Sequence, residues 1–185
     1  MKKRRRQKVS PQSLERWAIR HLDRYASSAA NLRHVLSRRV YRIEQAQEET
    51  FPEAPAWIDA AVADLLARGY LDDRKYAIST VERMRARGSS SRRIQATLRE
   101  KGVPREIALA ADAQASGEGG EFRAAFHYAR RRRLGPFRLD PEVRASKRER
   151  DLAALGRSGF SYEIASRIVE APDPDSLESA LIGSQ

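Results

Sequence analysis

Cysteine is absent from all 185 residues. Disulfides and thiolate-bound metal are therefore excluded, and the absence fits a reducing compartment. No apolar run approaches the roughly 18 residues that span a bilayer. The basic start runs into polar residues where an export signal needs an apolar segment. A cytoplasmic chain without membrane contact is expected. The three histidines, His21, His34 and His127, lack the i, i+4 pairing of a helical metal site, so no metal is expected. Gly117 to Gly120 lacks the lysine and hydroxyl of a phosphate-binding loop. Aromatic residues form 7% of the chain. Trp17, Tyr25, Tyr76, Phe122, Phe126 and Phe160 fall at helical core spacings or beside glycine, which leaves no evident base-stacking platform. Nothing resembles a nucleophile, an acid and base pair or a cofactor cradle, so no enzyme and no cofactor are expected.

Charge is abundant, at 33% of residues, with 36 basic side chains against 25 acidic ones and a net charge of +11. Lys2, Lys3, Arg4, Arg5, Arg6 and Lys8 supply six of those charges with no acid among them, leaving 11 − 6 = +5 for the rest. Such a block repels itself and suits contact with nucleic acid or another polyanion, so residues 1–12 are expected to be a disordered basic tail.

Apolar spacing points to helices throughout. Leu14, Trp17, Ala18, His21, Leu22 and Tyr25 form one face, with Ser10 or Ser13 as cap, and Leu32, Val35, Leu36, Val40 and Ile43 form the next after Ser28. Glu44 to Pro55 reads as a loop, and Ile58, Ala61, Val62, Leu65 and Leu66 give a third face. Asp72 or Asp73 then starts a helix carrying Tyr76, Ala77, Thr80, Val81 and Met84. Ser91 caps Ile94 and Leu98, while Pro104 stands at the first helical position before Ile107, Ala110 and Ala111. Phe122, Ala125, Phe126 and Ala129 follow, then Leu152 and Leu155, then Ile164, Ala165, Ile168 and Val169 behind Ser161. No segment alternates with period two. Residues 135–147 receive no assignment.

A leucine, three residues, a glycine and a large apolar residue recur at Leu65 to Tyr70, Leu98 to Val103 and Leu155 to Phe160. Glycine in the left-handed conformation closes a helix, and the apolar residue folds back on the last turn. The expectation is an all-α protein, an elongated array of three tandem three-helix modules over 13–71, 72–115 and 120–170, with a flexible end at 171–185. Such arrays present recognition surfaces more readily than pockets. Arg83, Arg87, Arg92, Arg93, Arg130, Arg131, Arg132 and Arg133 cluster off the core faces and are the candidate partner-binding residues. The tail cations are candidate nucleic-acid contacts. Within the run Arg130 to Arg133, helical geometry would turn at least one residue toward the core.

The stretch Gly69 to Ala77 (GYLDDRKYA), Arg83, Ser91 to Val103, Arg131 to Phe137 (RRRLGPF) and Gly159 to Ala165 (GFSYEIA) together resemble the RecX family of bacterial regulators. The resemblance runs from about Ser13 to Val169 and leaves out the basic head and the proline-rich end. It implies three tandem three-helix repeats and a non-enzymatic regulator lying in the groove of RecA filaments on single-stranded DNA. Such a regulator restrains strand exchange, ATP hydrolysis and coprotease activity, and so tunes DNA repair, recombination and the SOS response. A monomer is expected. The resemblance supplies no catalytic residue, and the arginines are assigned from their own clustering. Two other readings remain open: a nucleic-acid binder driven by the basic tail, and a helix-turn-helix regulator with Pro104 or Ser161 opening a recognition helix.

Overall fold

The computed structural model describes residues 7–117 and 119–182, and among them serine and aspartate caps and left-handed stops set off ten α-helices. Among the described residues there is no strand. The all-α expectation holds. Two units are distinguished, one of residues 1–76 and 101–103, the other of residues 77–100 and 104–185.

The first unit packs α1 (Pro11–Leu22), α2 (Ala29–Gln47) and α3 (Ala54–Ala67) around Leu14, Leu32, Leu36, Ile58, Val62 and Leu65. Ser10, not Ser13, is the cap of α1. The two form a capping box in which Ser10 Oγ accepts from Ser13 N–H and Ser13 Oγ from Ser10 N–H. Val9, just upstream, is buried in this core, and Gln7 exchanges two hydrogen bonds with the Gln47 side chain. The chain is therefore placed from Gln7 onward, while the contacts expected of Lys2, Lys3, Arg4, Arg5 and Arg6 lie outside the described residues. Ser28 caps α2 as expected, accepting from Asn31 N–H, and Asp73 Oδ1 takes up the Ala29 N–H at 2.8 Å. Helix α2 outruns its apolar face, because Glu44 to Gln47 continue it and Glu48 stops it in the left-handed conformation. The expected loop shrinks to residues 48–53.

The second unit holds most of α4 (Asp73–Ala86), with α5 (Ser91–Glu100), α6 (Arg105–Ser116), α7 (Gly120–Arg132), a 3-10 turn (Gly135–Phe137), α8 (Pro141–Arg157), α9 (Tyr162–Val169) and α10 (Pro174–Ile182). Phe122, Phe126, Leu152, Leu155, Phe160, Ile168 and Leu177 belong to one core. Leu177 lies on α10, within the stretch expected to be flexible. There Asp173 accepts from Ser176 N–H at 2.7 Å and Pro174 takes the first helical position, so the prolines start a helix instead of breaking one.

Smaller departures have local causes. Ser90 caps α5, accepting from Arg93 N–H, in place of Ser91. Pro104 is the N-cap of α6, one position earlier than expected. Helix α6 buries Ala108, Ala111 and Asp112 and leaves Ala110 exposed, because a carboxylate, not an alanine, completes its inner face. The glycine cadence buries Val103 and Phe160 as expected, but after Gly69 it is Leu71 that enters the core while Tyr70 stays 56% exposed beside Arg68. Tyr25, assigned to a core face, is 61% exposed because α1 ends at Leu22.

Candidate partner-binding surface

From Arg83 to Arg99 the chain carries six arginines and no acid. Helix α4 ends in a Schellman pair, with Gly88 N–H donating to Arg85 C=O and Ser89 N–H to Met84 C=O. Gly88 has φ +73, and a Cβ there would lie 2.6 Å from Tyr128 N and 2.8 Å from Ala124 O. Glycine is thus required twice, by conformation and by the backbone of α7. Ser90 Oγ donates to Ser158 C=O at 2.6 Å, and a Cβ on Gly159 would meet the Arg92 side chain at 3.1 Å. The α4–α5 turn is therefore seated on α7 and on the α8–α9 turn. Arg83, Arg87, Arg92 and Arg93 lie exposed around it.

Arg85 points the other way and locks this joint from inside. Its guanidinium is about nine-tenths buried and bonds Asp112 Oδ1 of α6 at 2.8 Å, Glu121 of α7, and Ser91 Oγ. Glu121 also accepts from Ser91 N–H at 3.0 Å, closing the N-terminus of α5 from a different helix. Burial pushes the Asp112 carboxyl up, but hydrogen bonds from Arg85 and Ser91 and the Arg85 charge outweigh it and hold the group below the usual carboxylate range. Asp151 of α8, 1% exposed, repeats the arrangement: Arg138 binds it at 2.8 and 2.6 Å and Gly135 N–H at 2.9 Å. Burial again opposes, and Arg138 and the Gly135 amide again prevail, so its carboxyl also sits low.

Arg130, Arg131 and Arg132 make up the last turn of α7, where cations complement the helix dipole. All four residues of the run, Arg133 included, are exposed. No arginine turns inward, contrary to expectation, because Arg133 leaves the helix at φ 53 and only three arginines hold helical positions. Arg130 meets Glu178 of α10 at 3.5 Å, and Arg132 lies 5.4 Å over the Tyr128 ring. Tyr128 packs on Phe160 at 5.8 Å, next to the Gly159 that borders Arg92. Arg87, Arg92 and Arg132 therefore flank one junction. Arg83 leans on Thr80 at 3.4 Å, Arg93 reaches the junction through its N–H on Ser90 Oγ, and among the described residues no side-chain contact ties Arg131 or Arg133 to it. Among the described residues Arg87, Arg92, Arg93, Arg131 and Arg133 have no carboxylate at ion-pair distance.

The first unit carries a second basic stretch. Arg39 of α2 lies 4.2 Å over Trp17 of α1, and burial, then Arg20 and Arg42, lower its pKa. His21 is lowered by burial alone. Lys8 is exposed. Among the described residues no group of His, Asp and Glu is placed to hold a metal ion, and no helix is long and apolar enough to cross a membrane.

Arg85, Asp112, Glu121, Arg138 and Asp151 escaped the sequence reading. Their charged partners are 13 to 36 residues away, and the one local signal is Asp112 on an otherwise alanine-lined face.

Residues 72–111 match the family model described as RecX, second three-helix domain. The chain is 44% identical over 167 residues to the regulatory protein RecX of Myxococcus xanthus, covering 90% of this chain and 89% of that protein. It is 30% identical over 155 residues to that of Trichlorobacter lovleyi, covering 83% and 91%. Against that of a Thermus thermophilus strain the identity is 42% over 91 residues, 49% of this chain and 54% of the relative. No solved structure matches.

Proposed function

The chain belongs to the RecX family of regulatory proteins, and from that premise we propose that it is a non-enzymatic regulator that binds RecA filaments on single-stranded DNA and inhibits them. It would act in the cytoplasm as a monomer, lying in the filament groove and lowering ATP hydrolysis, strand exchange and coprotease activity, with DNA repair and the SOS response tuned in consequence. The observation that carries this reading is the set of exposed arginines without ion-pair partners around the α4–α5 turn and the end of α7. Arg85 and Gly88 hold their backbone in place, so little ordering cost falls on binding. Unpaired guanidinium groups suit acidic protein surface and phosphates alike, and a filament that embeds DNA in protein offers both.

The test is RecA ATP hydrolysis on single-stranded DNA with the protein titrated in. Charge reversal at Arg87, Arg92 and Arg131 is expected to weaken inhibition roughly tenfold or more while helicity stays unchanged. Undiminished inhibition by that variant removes these residues from the interface. Removing residues 1–6 distinguishes the tail-driven nucleic-acid binder, since it deletes five of the six tail charges and spares Gln7 and the buried Val9. Inhibition is expected to survive that truncation. If six charges on single-stranded DNA were the main contact, log affinity would fall with log salt at a slope of about −4 and would collapse with the tail.

A further inference from the structure

Helices α5 and α8 both end two residues after the leucine of the glycine cadence, yet α8 has 17 residues and α5 has 10. The surplus of about two turns lies entirely at the N-terminus of α8. At its tip stands Leu139, which is 99% exposed. An apolar residue just before an N-cap ordinarily packs on the fourth helical position. Here that position is Arg144, whose guanidinium turns away to the carbonyls of Pro172 and Ala171, just past the end of α9. Leu139 has no partner, and Val143 on the first turn of α8 is also exposed, at 39%.

The loop that holds Leu139 is fixed on both sides. Arg138 is clamped to the buried Asp151 by two hydrogen bonds, and Phe137 packs edge-on against Phe126 at 5.4 Å. Asp140 caps α8, accepting from Glu142 N–H at 2.9 Å and Val143 N–H at 3.2 Å, and Pro141 takes the first helical position. Arg148, one turn beyond Arg144, binds Glu170. Single exposed apolar residues are common on protein surfaces. A leucine held out by a buried ion pair and a capped helix is a preorganised anchor.

Resting on the filament reading above, we infer that Leu139, supported by Val143, docks into an apolar pocket on the protein of the filament. The arginines of the loop and the first two turns of α8, Arg138, Arg144 and Arg148, are all engaged within the chain, Lys147 stands one turn beyond Val143, and Asp140 and Glu142 beside the tip are exposed. That balance repels phosphate and fits a pocket whose rim carries basic groups or amide donors. The tip therefore carries exposed charge opposite in sign to that of the arginine faces.

The experiment measures binding of the full chain to RecA filaments on single-stranded DNA, and to the DNA alone, for the wild type, Leu139→Asp, Leu139→Ser and Leu139→Met. Both polar variants are expected to bind the filament about tenfold or more weakly, and Leu139→Met close to wild type. Helicity, melting temperature and binding to bare DNA are expected to be unchanged in all three, because the side chain contacts nothing in the fold. Wild-type affinity in Leu139→Asp, beside a wild type that binds, overturns this inference and leaves the filament reading standing. A wild type that does not bind the filament overturns both.

Discussion

Replacing Arg133 with glycine is expected to move stability and binding in opposite directions, because this residue closes α7 in a conformation that arginine tolerates poorly. Arg133 has φ 53 and ψ 54, with its N–H on Arg130 C=O and the Leu134 N–H on Ala129 C=O, the hydrogen-bond pattern that Gly69, Gly88 and Gly159 also serve. A non-glycine residue in the left-handed region costs about 1–2 kcal/mol. Glycine gives back about 0.4–1 kcal/mol through the greater freedom of the unfolded chain. The net gain is about 0.5–1 kcal/mol, which for a chain of this length raises the melting temperature by about 1–4 °C. Arg133 is exposed and makes no ion pair among the described residues, so the only opposing loss is its charge at the C-terminus of α7, where the neighbouring Arg130 to Arg132 already meet the dipole. Circular dichroism melts give the stability, and inhibition of RecA ATP hydrolysis gives the binding, which is expected to weaken. A lower melting temperature refutes the strain argument. Unchanged inhibition in the stabilised variant removes Arg133 from the contact surface.

Gly88→Ala is expected to destabilise the second unit by about 2 kcal/mol or more, since it adds left-handed strain to a clash with the Tyr128 and Ala124 backbone. A melting temperature close to that of the wild type would contradict that packing. Asp112 and Asp151 both sit below the usual carboxylate pKa in the fold. Their contribution is therefore complete above the unfolded value of about 3.9 and is lost as pH falls through the lower folded values. Denaturant midpoints are expected to be level from about pH 7 to about pH 5 and to drop below about pH 4. Asp151→Asn is expected to be less stable at neutral pH and to show a shallower acid limb; an acid limb as steep as wild type would contradict the assignment.

What the sequence made legible was local. Ser10, Ser28 and Ser161 cap helices because a hydroxyl needs only the amides two or three residues on, and the glycine stops work through their own φ. The joint of the second unit was not legible, because Arg85 looks like any other arginine in a basic run until the chain folds. Its carboxylate partners come from α6 and α7, and nothing in the spacing of α4 announces them. The arginines beside it are distinguished only by lacking such partners, which is a property of the fold. Tyr25 and Tyr70 show the limit of face counting, since the helix ended or the neighbouring Leu71 fitted the core better. Leu139 stood in a stretch without apolar periodicity, and its exposure follows from Arg144 occupying the position where a leucine or valine would have covered it.

Titration of the purified chain into RecA hydrolysing ATP on single-stranded DNA tests the central claim most directly. A dose-dependent fall in rate, retained after removal of residues 1–6 and weakened by charge reversal at Arg87, Arg92 and Arg131, is the expected result. An unchanged rate at every ratio, with no binding of the chain to the filament, would contradict it.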